Sequence, residues 1–172
     1  WLALPNGPDA EHYNLWRTWC DTVVADLGRR IREHIRRRRP AAALILRHEA
    51  DILFDEANNE VGRELWHHQT SESVSALRTV HPDVPVMENC VSFIDMPYRL
   101  AGEEPEHFAQ YLIQTIARGG NPSTYIMGVP GDIPYPSLEL AAEVTRFHRH
   151  WSEVYCNLQP AASLGLVRPD PL

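Results

Sequence analysis

From about Ala10 to Arg39, apolar residues recur at every fourth position: Leu15, Trp19, Val23, Leu27, Ile31 and Ile35, with Trp16, Cys20 and Val24 beside them. That spacing predicts one long amphipathic helix with a single apolar stripe. Pro8-Asp9 marks its start, and Pro40 stops it because proline has no N–H for the helical ladder. Arg36 to Arg39 fall in the last turns, where positive charge complements the helix dipole. Beyond Pro40 the texture changes. Ala41–Leu46, Asp51–Phe54, Val84–Met87 and Tyr125–Val129 are short, almost wholly apolar runs, as expected of strands buried on both faces. Helical patterns lie between them. Val74, Leu77 and Val80 follow Ser71-Glu72; Phe108, Leu112, Ile113 and Ile116 end at Gly119-Gly120; Leu140, Val144, Phe147 and Trp151 form the last.

Strands alternating with amphipathic helices predict an α/β fold, a parallel sheet covered by helices. An open doubly wound sheet and a (β/α)8 barrel both satisfy the pattern. A whole barrel takes roughly 250 residues, so on the barrel reading these 172 residues carry about half of one, four strands with their helices. Leu46 to Asp51 is too short to cross between parallel strands, which takes about a dozen residues. Either Ala41–Phe54 is one kinked strand, or one of its two runs is not a ladder strand.

Charge narrows the function classes. Sixteen basic residues, all Arg, stand against 23 acidic ones, a net charge of −7. A general nucleic-acid binder needs an electropositive face, so the Arg run reads as a solvated helix end. No run approaches the roughly 18 apolar residues of a membrane-spanning helix, and no membrane partner is expected. The chain begins at Trp1 with no Met and no visible leader, which reads as a piece of something longer; the compartment stays open. Cys20, Cys90 and Cys156 are too far apart for a disulfide framework or a zinc site. His67-His68 and His148/His150 are adjacent or two apart, spacings that do not converge on one metal. No metal and no cofactor is expected, since no glycine-rich phosphate loop follows any strand.

In parallel α/β folds reactive groups collect at the carboxyl ends of strands. Three such ends are polar: Asp55-Glu56-Ala57-Asn58-Asn59-Glu60, then Glu88-Asn89 with the following Ser92 to Arg99, and Gly128-Val129-Pro130-Gly131-Asp132. Two facing carboxyls among Asn, Arg and aromatic groups are what sugar hydrolysis requires: one protonates the leaving oxygen, the other attacks the anomeric carbon or activates water. Glu56 and Glu88 are the candidate catalytic pair. Asn58, Trp66, Asn89, Asp95, Tyr98 and Arg99 are candidate sugar contacts, with Trp66 a stacking platform or a lid over core. The bland alternatives are that Asp95 and Arg99 form a structural pair, and that Asn58 and Asn89 form turns.

The ordered series sharpens this. Asp51-Ile-Leu-Phe-Asp-Glu56-Ala-Asn58-Asn59, Leu65-Trp66, Thr70-Ser-Glu72-Ser, Phe93-Ile-Asp95-Met-Pro97-Tyr98-Arg99, Ala117-Arg-Gly-Gly120, Tyr125-Ile-Met-Gly128 and Val154-Tyr155 with Pro160-Ala-Ala-Ser163 together resemble the TIM-barrel glycosyl hydrolases described as β-galactosidase-like. In those proteins a glutamine-amidotransferase-like trimerisation domain follows the barrel. The resemblance implies that residues 1–157 are the C-terminal half of the barrel and that 158–172 lead into the next domain. It also implies a glycoside substrate, and a homo-oligomeric, trimeric parent. Glu56 falls on the Glu of the family's strand-end Ser/Asp-Glu-x-Asn motif, and Glu88-Asn89 on a strand end where related retaining barrels keep a nucleophile. With the other half absent, the chain alone is expected to be inactive. The alternatives are a sugar-binding module without chemistry and a structural or assembly segment.

Overall fold

The computed structural model describes residues 4–46, 50–129 and 131–167. The chain divides into two compact units, Trp1–Leu44 and Ile45–Leu172. The first carries one helix, α1 (Tyr13–Arg38), closed at its end by the Arg39 N–H on the Ile35 carbonyl at 2.7 Å. Thr18 and Thr22 hydroxyls bond back to the Asn14 and Thr18 carbonyls, and Arg29 pairs with Asp26 and Glu33. None of its residues is buried.

The second unit is a mixed α/β body. In order it contains β1 (Ile45–Leu46), β2 (Ile52–Ala57), α2 (Gln69–Val80), β3 (Val86–Val91), α3 (Pro105–Ala117), β4 (Asn121–Tyr125), α4 (Ser137–His150) and the single turn α5 (Ser152–Tyr155). A small parallel sheet of three full strands, β2, β3 and β4, carries the two-residue β1 at one edge. Its strands lie side by side in chain order, without the reversal at which a doubly wound sheet makes its binding crevice. Parallel neighbours joined through a helix take right-handed crossovers, which puts α2 and α3 on one face of the sheet. The packing agrees: Leu53 and Val86 meet Val74 of α2, while Ala57 and Cys90 meet Phe108 and Leu112 of α3 and Ala141 of α4. Sinking a side chain the size of Phe108 into this layer stabilises the fold by roughly 1.5–3 kcal/mol. Val91, Phe93 and Tyr135 form a smaller cluster, with Tyr125 and Met127 against it.

The turn from α3 to β4 shows why that junction is built from glycine. Gly119 has φ +77°, the left-handed conformation that ends a helix without a Cβ penalty. Gly120 sits where a Cβ would come within 2.9 Å of both Thr115 Cγ2 and Val74 Cγ1. The sheet can therefore lie close under α2 and α3 only if this position has no side chain.

Several sequence expectations shift. The fourth strand is Asn121–Tyr125, not Tyr125–Val129: it starts as soon as the two glycines release the chain, and it pairs with β3 through polar residues. β2 and β3 run past their apolar starts, so Asp55-Glu56 and Glu88-Asn89 lie within strands rather than after them. Ala41–Leu46 contributes only Ile45 and Leu46, opposite Ile52 and Leu53 in a parallel ladder. Ala41–Phe54 is thus not one kinked strand, and both runs enter the ladder; residues 47–49 of the connection lie outside the described residues. The division of the chain falls after Leu44, and residues 158–167 belong with the second unit.

Candidate functional site

Side chains alternate across a strand, so register assigns each polar group to a face. Asp55 is level with Glu88, and Glu56 with Asn89 and, one strand on, Ser123. Leu53, Ala57, Val86 and Cys90 face the helices, and Asp55 and Glu88 share their parity. Glu56, Asn89 and Ser123 stand on the opposite face. Ser123 Oγ donates to Asn89 Oδ1 at 2.9 Å, and Asn89 Nδ2 donates to Glu56 Oε1 at 3.3 Å. The serine proton occupies the amide oxygen, so the amide NH2 is the end left to face the carboxylate. The result is a hydrogen-bonded row across three strands that fixes Glu56 while leaving it half-buried.

The expected pair of Glu56 and Glu88 is therefore not a facing pair. One residue of strand parity turns Glu88 into the helix layer, where it is 1% exposed and its Oε2 has no hydrogen-bond partner. Burial, then the nearby charges of Asp55 and Glu56, push the Glu88 carboxyl up to about 8. At neutral pH it is a protonated core acid. Asp55, on the same side, accepts from the Ser73 hydroxyl of α2. Burial also pushes the Cys90 thiol and the Tyr111 phenol upward. Cys90 is thus an inert core thiol.

The remaining expected contacts lie in the two loops that leave the C-terminal ends of β2 and β3. Asp95 ties those loops together: Oδ1 accepts from the Met96 N–H at 2.6 Å, capping a short 3₁₀ turn, and Oδ2 accepts from the Val61 N–H at 3.1 Å. Both oxygens are spent on backbone, and Arg99 does not pair with Asp95; its guanidinium donates to the Met96 carbonyl. Asn58 accepts from Arg63 through both its carbonyl and its Oδ1, at 2.6 and 2.9 Å. Asn58 thus braces its loop, whereas Asn89 lies mid-strand and forms no turn. Trp66 is 56% exposed, with its indole N–H on Glu72 Oε2 at 3.0 Å and its ring edge-on to His68. Tyr98 is 54% exposed. Both rings are thus more than half exposed.

Two features escaped the sequence reading. Ser123 lay outside the expected fourth strand, Tyr125–Val129, and only the register of β4 reveals it. Glu103 and His107 form a nearly buried pair at 2.8 Å, with the Tyr111 ring tilted against His107, centroids 4.9 Å apart. Their i, i+4, i+8 spacing, from Glu103 just ahead of α3 to His107 and Tyr111 within it, was the available signal. Glu103 Oε2, His107 Nε2 and Tyr111 Oη lack hydrogen-bond partners. No cluster of three or more His, Cys, Asp or Glu among the described residues has the geometry to hold a metal ion, and no helix among them is long and apolar enough to cross a membrane. No protein-family model, no curated protein and no solved structure matches the chain.

Proposed function

We propose that this chain is one half of a (β/α)8 barrel from a carbohydrate-active glycoside hydrolase of the β-galactosidase-like type, with Glu56 its working carboxylate. The observation that carries the reading is the row Ser123–Asn89–Glu56. A hydrolytic carboxylate has to be held in one orientation by neighbours that are themselves fixed. Glu56 is so held, on the face that would line a barrel interior, next to the C-terminal end of β2. The sequential parallel strands with helices on one side support the barrel. Asp95 supports the rim, because it locks together the two loops that present Trp66 and Tyr98.

In this reading Glu56 attacks the anomeric carbon or activates a water, Asn89 orients it, and Trp66 and Tyr98 stack on the sugar. The acid that protonates the leaving oxygen comes from strands outside these 172 residues, because Glu56 is the one carboxylate that β2, β3 and β4 carry on that face. Glu88 has no part in bond cleavage. That same solitary carboxylate favours a second reading, a sugar-binding module without turnover.

The test is aryl-galactoside hydrolysis by the polypeptide that contains this chain, beside a titration of the chain alone with galactosides. Hydrolysis that disappears in Glu56→Gln supports the first reading. Binding without turnover supports the second. Neither binding nor turnover overturns both.

A further inference from the structure

We propose that Tyr135 is a positioning residue of the sugar site, holding the backbone that presents Tyr98; the inference rests on the sugar-binding reading of this rim. Tyr135 lies just ahead of α4 and is 4% exposed, its ring packed with Val91 and Phe93. Its hydroxyl makes two hydrogen bonds. It donates to the Arg99 carbonyl, in the connection between β3 and α3, and accepts the Met127 N–H at 3.3 Å, in the connection between β4 and α4. A phenol carries one proton and accepts at its lone pairs, so one buried oxygen joins two loops through a bond in each direction. The packing beneath does not depend on that oxygen: Phe93 meets the Tyr135 ring with centroids 6.4 Å apart and the Tyr125 ring at 5.3 Å. The ring serves the core, and the hydroxyl serves the loops.

What the hydroxyl fixes is the short turn that carries Tyr98. Some bonds lie within that turn: the Tyr98 N–H on the Asp95 carbonyl at 2.8 Å, the Ala101 N–H on the Tyr98 carbonyl at 2.9 Å, and the Arg99 guanidinium on the Met96 carbonyl. Those would travel with the turn if it moved. Two others anchor it to neighbouring loops, one on each side of Tyr98. Asp95 takes the Val61 N–H ahead of the ring, and Tyr135 holds the Arg99 carbonyl directly behind it. Gly102 shows how closely the two connections approach: a Cβ there would come within 2.9 Å of Pro136 Cδ and 3.2 Å of Tyr135 Cα. An aromatic ring that is already held before the sugar arrives loses less freedom on binding. Stacking acts on bound sugar and transition state alike, so losing an anchor is felt in affinity and KM rather than in kcat.

The experiment sets Tyr135→Phe, Tyr98→Ala and the double variant beside wild type. Amide hydrogen exchange is read on the whole chain, and aryl-galactoside binding and turnover on the polypeptide that contains it. Phenylalanine keeps the ring against Phe93 and deletes both loop bonds. The Met127 and Ala101 amides should then exchange about tenfold faster, while the amides of β2 and β3 keep their rates. KM, or Kd where there is binding without turnover, should rise about threefold to tenfold, the lost hydrogen bonds read through the ligand, with kcat unchanged. In the Tyr98→Ala background Tyr135→Phe should cost no further affinity, because the ring it positions is gone; a merely structural tyrosine would cost the same in both backgrounds. Wild-type exchange at Ala101, wild-type affinity, or an equal loss in the Tyr98→Ala background would each overturn the positioning role and leave the glycosidase reading standing. Wild-type protein that neither binds nor hydrolyses the galactoside overturns that reading, and the positioning role with it.

Discussion

Glu56 and Glu88 occupy neighbouring strands, yet they live in different chemistry. Glu56 stands on the face opposite the helices, half-buried, and receives an N–H from Asn89. Glu88 is sealed among the helices beside Val86 and Cys90, with one oxygen unpartnered and its proton retained to about pH 8. What separates them is register: Glu56 is level with Asn89, and Glu88 with Asp55. Proximity in sequence to a strand end does not make a carboxylate functional. The parity of the strand decides which of two acids can meet a ligand and which must stay neutral.

The sharpest way to break this comparison is to neutralise each acid in turn. Glu56→Gln keeps the shape and the row of hydrogen bonds but removes the charge. Hydrolysis by the containing polypeptide should fall by about a thousandfold, within the range for losing a positioned catalytic carboxylate, with the melting temperature unchanged. A variant with ordinary turnover would move Glu56 to a structural role. Glu88→Gln should do the reverse, leaving any sugar binding alone and changing stability with pH. The folded-state pKa of Glu88, about 8, lies above its ordinary value of 4.5, so the folded chain holds this proton more tightly than the unfolded one. That contribution to stability is complete below about pH 4.5 and is lost as pH rises toward 8. Glutamine carries no such dependence. Between pH 5 and pH 8 the variant should gain on the wild type by about 3.5 kcal/mol, a little under the full 1.36 kcal/mol per pH unit because the slope fades near each pKa, read as a widening gap in urea midpoints. Parallel pH profiles for the two proteins would refute the assignment of Glu88 as a neutral core acid.

Much of the architecture was legible because it depends on apolar periodicity. The helix patterns at Val74–Val80, Phe108–Ile116 and Leu140–Trp151 mark α2, α3 and α4, and the apolar runs before Asp55 and Glu88 mark the starts of β2 and β3. β4 was misplaced by several residues because its sequence, Asn-Pro-Ser-Thr-Tyr, looks like a turn. Pairing with β3 overrides that local preference. The site suffered from the same blindness. Glu56 and Asn89 were readable as polar residues near strand ends, but their partnership needs the register, and register is long-range. Asp95 was readable as a loop residue, while its grip on the Val61 N–H, 34 positions away, was not. The glycines tell the opposite story: Gly119-Gly120 announced a helix end in the sequence, and the structure adds a packing reason. Gly120→Ala should therefore cost about 1–3 kcal/mol by overpacking against Thr115 and Val74. A loss of that size in a thermal melt supports the close approach of β4 to the helices, and an unchanged melt removes it.

The smallest expected effect probes the row itself. Ser123 contacts Asn89 through one 2.9 Å hydrogen bond, and a bond of this kind contributes about 0.5–1.5 kcal/mol. Ser123→Ala leaves the amide oxygen of Asn89 unpaired and removes the reason for its NH2 to face Glu56. If Glu56 is merely a solvated acid, nothing beyond that small stability loss follows. If the row positions it for a sugar, galactoside affinity or turnover should drop by about threefold to tenfold, the same energy read through the ligand. Ser123→Thr restores the hydroxyl and should recover most of the loss, provided the added methyl is accommodated on the half-buried strand. Asn89→Asp puts a second carboxylate beside Glu56, so the N–H donor becomes a like charge and the deficit should exceed that of Ser123→Ala. An alanine variant equal to wild type in ligand binding, with threonine and aspartate variants equally silent, would show that the three residues are neighbours in a sheet and not parts of one device.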